Sequence, residues 1–584
     1  MKEFLKSTLA TITGIFLTGF ILFFLGIISL VGILSSANTE VPVKDNSILC
    51  LNLNGMLEER STENPFAEYL GEELNTYGLD DILAAIQKAK KNDKIKGIYL
   101  QNVFLGASFA SLEEIRNALL DFKESGKFIV AYADNYTQGL YYLSSVADKI
   151  LINPQGSLEW KGLASQPIFY KDLLEKLGIE MQIFKVGTYK SAVEPFINTE
   201  MSEANREQVT AFIQSIWNQL TTDISSSRNI PVEKLNQYAD HMLLFSSAQE
   251  LKAYGLIDSI VYKNEVRDYL KQQLKLDKDA HLPTISLSEM SHIQTDTPKD
   301  KSGNILAVYY AYGEIDNPGS PNGIVSKKVI KDLRKLREDK NIKAVVLRVN
   351  SPGGSAYGSE QIWNEVRLLK AQKPVIVSMG DYAASGGYYI SCIADSIVAQ
   401  PTTLTGSIGI FGMVPNFKEL THKIGLDFDV VKTNKHADFG TTNRSMNPAE
   451  KALMQTYINR GYNLFLKRCA DGRGMTTDAI GKVAEGRVWT GTTAKELGLV
   501  DELGGLDKAI EIAAAKAQLD SYTLLTYPAK ENFLTTFLNQ GTSDFIRLKL
   551  ENTLGEQYKS IRFIQDIEHM DAMQARMPFD LNLE

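Results

Sequence analysis

Residues 380–389 read Gly-Asp-Tyr-Ala-Ala-Ser-Gly-Gly-Tyr-Tyr, a stretch of small residues around a single serine. An apolar run at 374–378 precedes it and another run, ending near Ala394, follows it, which predicts a strand, a tight turn and a helix. Small residues on both sides of Ser385 let the backbone turn sharply and let a substrate main chain approach the hydroxyl. Taken alone, the stretch favours a glycine-rich turn with Ser385 as a helix N-cap, so other features must decide whether it holds a nucleophile.

The composition indicates a folded, multidomain protein. Its 584 residues, 44% of them hydrophobic, are enough for several domains with sizeable cores. The 62 basic residues are interspersed among 70 acidic ones, for a net charge of −8, without the basic stripe that nucleic acid requires. Cys50, Cys392 and Cys469 are too few and too dispersed for a disulfide framework or a zinc site. We expect core thiols, and neither nucleic acid nor a metal as a partner.

The N-terminus carries an uncharged segment, 8–34, behind Lys2 and Lys6. It exceeds the ~20 residues that cross a bilayer, and therefore predicts a single transmembrane anchor after a cytoplasmic stretch, 1–7. The alternative is a cleaved signal peptide, because small residues follow at 35–37, although the apolar part of a signal peptide is typically about 7–15 residues long. The two lysines predict that everything beyond the anchor lies outside the cytoplasm.

The rest of the chain is duplicated. Residues 96–100 (Lys-Gly-Ile-Tyr-Leu) align with 343–347 (Lys-Ala-Val-Val-Leu) at a spacing of 247, and about sixty residues align without a gap. In the second copy, strands predicted at 305–309, 344–349 and 375–378 alternate with helices at 327–337 and 359–371, an α/β pattern with mostly parallel sheets. We predict a first repeat over 47–285, a linker over 286–303, a second repeat over 304–520, and a tail, 521–584, to which no motif assigns a function.

A second motif, Asn-Ser-Pro-Gly-Gly-Ser at 350–355, follows a predicted strand and precedes a helix. Gly353 and Gly354 lack a Cβ and can turn two backbone N–H groups toward one point, as an oxyanion hole requires. A phosphate-binding loop is the rival, but the Lys-Ser/Thr ending of a P-loop and the Gly-x-Gly-x-x-Gly spacing are absent. On this motif alone, a plain turn before a helix also remains open.

A serine nucleophile needs a base, and none of the six histidines lies in a motif with Ser385. Lysine is the other base that activates a serine, provided that burial lowers its pKa. Lys190 stands in Lys-Val-Gly-Thr-Tyr-Lys-Ser-Ala-Val-Glu-Pro-Phe, 185–196, whose apolar and small residues could desolvate an ammonium group. An isolated lysine is usually a solvated surface charge, so this candidate depends on the other motifs.

Four motifs in order, at 186–196, 350–355, 380–389 and 404–409 (Leu-Thr-Gly-Ser-Ile-Gly), resemble the bacterial signal peptide peptidase family SppA, also called protease IV, in its long duplicated form. The resemblance spans roughly residues 1–520. It implies two tandem ClpP/crotonase-like domains after the anchor, and a serine endopeptidase with a Ser/Lys dyad and no cofactor or metal. Carried over to this chain, it makes Ser385 the nucleophile, Lys190 the general base, Gly353 and Gly354 the oxyanion-hole donors, and Ser407 the residue that orients the lysine.

The resemblance also implies a homotetramer in the bacterial inner (cytoplasmic) membrane, with its catalytic domains on the periplasmic side. Its substrates would be cleaved signal peptides and similar short apolar segments. Two alternatives stay open. Another crotonase-like enzyme, such as an acyl-CoA hydratase or carboxyltransferase, would use the glycine loop without Ser385, and a non-catalytic membrane scaffold would keep only the fold.

The duplication itself favours one composite site. At the position equivalent to Ser385 the first repeat has Gln138, and at the position equivalent to Gly354 it has Ala107. Near the equivalent of Lys190 the second repeat has Ala437. Neither repeat therefore holds both nucleophile and base. The sequence leaves open whether the two repeats that meet belong to one chain or to neighbouring chains.

Overall fold

The computed structural model describes residues 42–61, 75–293, 300–318, 323–530 and 573–577, together with helical residues within 4–24. The predicted anchor, 8–34, falls only partly on these; residues 13–22 are helical and exposed. The rest of it is largely outside the described residues, as are the small residues at 35–37. Among the described residues, no helix combines the length and the apolar character needed to cross a bilayer.

A parallel sheet forms the centre of the first repeat. Its order is β2-β1-β3-β4-β5-β7, with β8 beside β1. The strands of this repeat are β1 (Ser47–Glu58), β2 (Asn75–Gly78), β3 (Ile95–Gly106), β4 (Phe128–Ala133), β5 (Lys149–Ile152), β6 (Glu180–Val186), β7 (Ser259–Ile260) and β8 (Thr284–Ser286). Its helices are α1 (Leu79–Lys91), α2 (Phe109–Lys123), α3 (Gln138–Ser144), α4 (Lys171–Leu177), α5 (Glu194–Ile197), α6 (Glu203–Arg228), α7 (Val232–Asp240), α8 (Ala248–Ala253), α9 (Lys263–Gln273) and α10 (Leu287–Ser291).

The second repeat has the same design. Its main sheet runs β16-β14-β12-β10-β9-β18, and β13 pairs with β12 and β17. The strands that follow along the chain are β9 (Ile305–Tyr312), β10 (Ile342–Ser351), β11 (Gly353–Ser355), β12 (Val375–Ala384), β13 (Ser396–Ala399), β14 (Leu404–Gly406), β15 (Ile410–Asn416), β16 (Val488–Thr490), β17 (Glu502–Leu503), β18 (Thr523–Tyr527) and β19 (Gln574–Arg576). The helices are α11 (Ser326–Glu338), α12 (Ala356–Lys370), α13 (Gly386–Ser391), α14 (Lys418–Lys423), α15 (Pro448–Arg473), α16 (Thr477–Val483), α17 (Gly491–Glu496) and α18 (Leu506–Lys516).

The duplication seen in the sequence is a duplication of structure. α1 and α11 begin at 79 and 326, and β5 and β13 begin at 149 and 396, so each pair starts 247 residues apart. In α1 the reason for the helix is visible, because Leu79, Ile82 and Ile86 form a buried stripe while acidic residues occupy its first turn and lysines its last. Separate buried clusters fill the two repeats, as expected of domains that each bury a core.

The first part of the predicted linker, 286–303, differs from the loop expected there. A strand ends at Ser286 and α10 follows directly, where Ser286 and Glu289 cap the helix through reciprocal bonds. Serine and glutamate are the residues of a capping box, and their polarity made the segment look like a loop. The centre of the predicted linker, 294–299, lies outside the described residues.

A third sheet joins the two repeats. It runs β11-β19-β15-β6, and β6 of the first repeat pairs antiparallel with β15 of the second over seven residues, from Val186 opposite Ile410 to Glu180 opposite Asn416. β19 comes from the tail and lies between β11 and β15. Because β6 leads directly to Lys190, this sheet brings the first repeat's lysine to the second repeat within one chain.

Candidate active site

Ser385 occupies the sharp turn that the sequence predicts. β12 ends at Ala384 and α13 begins at Gly386, and Ser385 between them has φ 53° and ψ −110°. This conformation is strained for a residue with a side chain and is held by the surrounding structure, including a bond from the Ser385 amide to the Gly406 carbonyl at 2.8 Å. The side chain of Ser385 makes no capping bond to α13. Ser385 thus stands at the N-cap position of α13 without using its side chain as a cap, and the hydroxyl is available for another partner.

That partner is Lys190. Its Nζ lies 2.9 Å from Ser385 Oγ, and both residues are fully buried, with 0% of their surface exposed. Burial lowers the pKa of Lys190 well below its ordinary value, because a charged ammonium loses its hydration there. A neutral amine can accept a proton from a hydroxyl. The structure thus brings together the two groups that the motifs singled out separately.

Ser407 lies on the far side of the lysine. Lys190 Nζ is 3.0 Å from Ser407 Oγ and 3.2 Å from the Ser407 carbonyl. Ser407 has φ 50°, and its amide donates to the Arg487 carbonyl at 2.7 Å, so its position is fixed by the loop before β16. These contacts hold the amine in one place beside Ser385.

The backbone of Lys190 is held by the second repeat. Tyr189 donates its amide to the Glu485 carbonyl at 2.9 Å. Gly486 has φ +79°, and a Cβ there would lie 2.7 Å from Lys190 Cα, so only glycine permits this approach. Gln208 of α6 adds a bridge, since its Nε2 donates to the Tyr189 carbonyl at 3.0 Å and its Oε1 accepts from Val488 N at 3.2 Å. The sequence analysis did not identify Gln208, because its only signal in the sequence is an amide side chain within a helical segment.

The glycine loop reaches the same turn. Gly353 and Gly354 have φ of +106° and +147°, which favour glycine. A Cβ on Gly353 would lie 2.8 Å from the amide nitrogen of Gly386, the residue after Ser385. Gly353 donates its own amide to Ser351 Oγ at 3.2 Å. The backbone of this loop therefore lies against the start of α13, next to the residue that follows Ser385.

A buried polar network lies behind both loops, and sequence reasoning missed it as well. Arg348, 2% exposed, extends between Glu59 and Glu114 of the first repeat, with Nη2 at 3.0 and 2.8 Å from their oxygens. Burial alone would lower the pKa of Arg348, but the two carboxylates raise it, so the group stays charged. Asn350 Nδ2 lies 3.1 Å from Glu59 and 3.3 Å from Asp381. The network thus links the first repeat to the residues that precede both the glycine loop and Ser385.

The equivalent turn of the first repeat holds no such chemistry. Gln138, at the position of Ser385, accepts backbone bonds from Lys161 at 3.2 Å and Gly162 at 3.1 Å through Oε1. Its role is structural. Of the three cysteines, Cys392 and Cys469 are buried and Cys50 is half-buried, all as free thiols.

Two copies of a parallel α/β domain, the second with a buried serine on a strand–helix turn, are the features expected of a serine protease of the ClpP-like class. Residues 301–402 match the Clp protease family model. Residues 121–277 and 367–520 match the model for peptidase family S49, and the chain belongs to that family. Membership identifies the enzyme as a serine protease and disfavours both a coenzyme A-dependent enzyme and a non-catalytic scaffold.

Relatives extend over most of the chain. A protein named Protease 4 from Salmonella typhi is 38% identical over 512 residues, 85% of this chain and 82% of its own length. The chloroplastic serine protease SPPA of Arabidopsis thaliana is 34% identical and covers 82% of this chain and 70% of its own. A putative signal peptide peptidase SppA from Enterococcus faecium is 35% identical over 33% of this chain and 57% of its own.

Proposed function

We propose that the chain is an endopeptidase with a Ser/Lys dyad, in which Ser385 is the nucleophile and Lys190 the general base. The observation that carries the proposal is the 2.9 Å contact between Lys190 Nζ and Ser385 Oγ at a fully buried site. Because burial lowers the pKa of Lys190, a neutral amine faces the hydroxyl at working pH.

The reaction follows from this geometry. Lys190 takes the proton of Ser385 as the oxygen attacks the scissile carbonyl carbon. Backbone amides of Gly353 and Gly354 stabilise the oxyanion, for which the Gly353 amide gives up its bond to Ser351 Oγ. Ser407 keeps the amine directed at Ser385. The lysine then gives its proton to the leaving amine as the C–N bond breaks. A water molecule, deprotonated by the same lysine, hydrolyses the acyl-enzyme ester.

The substrates proposed are cleaved signal peptides and similar short apolar segments. Support comes from the similarity to the putative signal peptide peptidase of Enterococcus faecium and from the uncharged N-terminal segment, 8–34, which would anchor the enzyme in the inner membrane. With lysines on its N-terminal side, that anchor places the protease on the periplasmic side, where signal peptides remain after secretory processing.

We also propose self-association. The repeat symmetry supports a contact between chains, and the resemblance to SppA implies that four chains assemble. The strand β6 has a counterpart in the second repeat, residues 427–433, which lie 247 residues later in the chain. These residues form no strand. Leu426, Phe428 and Val430 alternate with aspartates there and are each more than half exposed, which is the pattern of a half-buried strand. Residues 163–169 are the first repeat's counterpart of β15. In a second copy of the chain, they would pair with residues 427–433 as β15 pairs with β6.

The dyad is tested with a serine-reactive phosphonate on the full chain in detergent. Ser385→Ala and Lys190→Ala should each lower peptidase turnover by a factor of about 10³ or more, and Ser385→Ala should abolish labelling. Matched controls are Ser391→Ala, on α13 with its hydroxyl donating to the Gly387 carbonyl, and Lys185→Ala, on β6. Near-normal turnover of Lys190→Ala would exclude the dyad.

Self-association is tested by light scattering. Val430→Asp should reduce the mass of the complex from that of four chains, because the charge would be buried at the proposed interface. Phe245→Asp, at a side chain that is 79% exposed elsewhere on the first repeat, is the control. An unchanged mass in Val430→Asp would exclude this contact.

A further inference from the structure

One buried side chain of the first repeat bonds the residues on both sides of Lys190. Gln208 of α6 is 1% exposed, and its Nε2 donates to the Tyr189 carbonyl at 3.0 Å and to Ser191 Oγ at 2.9 Å. Its Oε1 accepts from the Val488 amide of β16 at 3.2 Å. Gln208 therefore ties the segment that carries the base to a strand of the second repeat.

A buried carboxylate sets the orientation of the Gln208 amide. Glu194 accepts from Asn205 Nδ2 at 3.0 Å, and both residues are buried. A carboxylate accepts hydrogen bonds without donating, so Asn205 turns its NH2 group toward Glu194 and its oxygen toward Gln208, whose Nε2 donates to it at 3.0 Å. A reversed Gln208 would set its oxygen against the oxygens of Asn205 and Tyr189. The carboxylate thus determines that Gln208 donates to the lysine segment and accepts from β16.

The duplication shows that the helix itself does not need this amide. α6 and α15 are both 26 residues long and begin at 203 and 448, so the position of Gln208 is taken by Leu453 in the second repeat, where the side chain is 59% exposed. At a buried position an apolar side chain avoids the cost of desolvating polar atoms. The amide occurs in the repeat that carries the lysine, and its bonds go to the neighbours of that lysine.

We propose that Gln208 is a positioning residue for the base Lys190, and that Glu194, through Asn205, sets the direction in which its amide acts. The proposal rests on the proposed function, since it concerns the same lysine. Without Gln208 the segment would still keep the bond from the Tyr189 amide to the Glu485 carbonyl. The expected result is a displaced amine at the site rather than an unfolded segment.

The first test replaces the amide with an apolar side chain of similar length. Gln208→Met has no N–H group for the lysine segment, and a small displacement of a reacting group costs up to about 100-fold in rate, so kcat for a peptide substrate should fall about 10- to 100-fold. KM should change by less than about twofold, because Gln208 acts through the base. The control is Gln214→Met on the same helix, where an exposed amide bonds Asn218; it should leave both constants unchanged.

A second variant gives a readout that a packing defect would not move. In Gln208→Glu a carboxylate lies beside Lys190, favours the charged ammonium and raises its pKa, so the rise of kcat with pH should shift by about one unit toward alkaline pH. A packing defect would instead lower kcat by one factor at every pH. The other charged residues that bond the lysine segment or the amide relay are the same in parent and variant: Glu194 on α5, Glu207 on α6, and Glu485 and Arg487 in the loop before β16. Gln214→Glu is the control and should keep the parent's profile.

Exchanging donor and acceptor tests the role of the carboxylate. Asn205→Asp sets two carboxylates against each other and should lower kcat about as much as Gln208→Met. The double variant Glu194→Gln/Asn205→Asp again presents an N–H group to a carboxylate and should recover most of that loss. Failure of this rescue would overturn the relay through Asn205.

The outcomes separate this proposal from the proposed function. Near-normal kcat in Gln208→Met, or an unshifted pH profile in Gln208→Glu, would overturn the positioning role while phosphonate labelling and the loss of turnover in Lys190→Ala still supported the dyad. Absence of phosphonate labelling in the unmodified chain, or normal turnover of Lys190→Ala, would overturn the dyad and the positioning role together.

Discussion

The ion cluster between the repeats allows a stability prediction with a definite size. Arg348→Met leaves the carboxylates of Glu59 and Glu114, 3% and 7% exposed, without their cation. Removing one partner from a buried cluster costs about 3–5 kcal/mol, because the remaining charge is neither solvated nor paired. With about 2–4 °C lost per kcal/mol in a domain of this size, the melting temperature should fall by roughly 6–20 °C.

The assay is denaturant and thermal unfolding of the full chain followed by circular dichroism. Neutralising all three groups, in Glu59→Gln/Glu114→Gln/Arg348→Met, should recover most of the loss, since no buried charge is left. The deficit of the single variant should also shrink as the pH falls from 7 to 5, because the unpaired carboxylates then take up protons. A single-variant cost below about 1 kcal/mol, or a triple variant no better than the single one, would refute the reasoning.

Three further predictions concern Lys190, the buried Glu113 of α2, and Gly486. Burial lowers the pKa of Lys190, so below pH ~10.4 folding must release a proton from this lysine. Lys190→Met should therefore be inactive yet more stable than the parent in urea at pH 6–7. This difference in stability should close toward pH 10. Burial raises the pKa of Glu113 to about 8, so the stability of the parent measured relative to Glu113→Gln should fall as pH rises from about 5 to 8. Gly486→Ala, whose Cβ would strike Lys190, should cut turnover by about tenfold or more, whereas Gly481→Ala, in open space, should not.

Local sequence pattern was enough to predict those parts of the site that depend on neighbouring residues. The turn at Ser385 follows from small residues between two apolar runs, and the duplication follows from matched spacing; both are confirmed. Lys190 was located because its surroundings are apolar and because the second repeat lacks a lysine at that position. Its contact with Ser385 shows that separate motifs, each weak alone, can be combined across 195 residues of sequence.

The parts that were missed depend on long-range pairing. Arg348 lies within an apolar strand pattern, and nothing local shows that Glu59 and Glu114 reach it from 289 and 234 residues away. The strand at 574–576 is three residues long and is stabilised by pairing with β11 and β15 rather than by its own sequence. Short strands carry too few residues for an alternating pattern to be recognised, so the tail gave no signal.

In the proposed mechanism, the division of the dyad between two repeats means that Lys190 can act as a base only in the folded chain. In the unfolded chain Lys190 is hydrated, and a lysine there keeps its ordinary pKa. Gly486, Gly409 and Ser407, which lie against Lys190 in the folded chain, come from the second repeat. A first repeat without its partner would therefore carry a protonated, solvated lysine, and a second repeat would carry a serine without a base. Peptidase activity is consequently a property of the assembled pair, and it should appear during folding only when β6 has paired with β15.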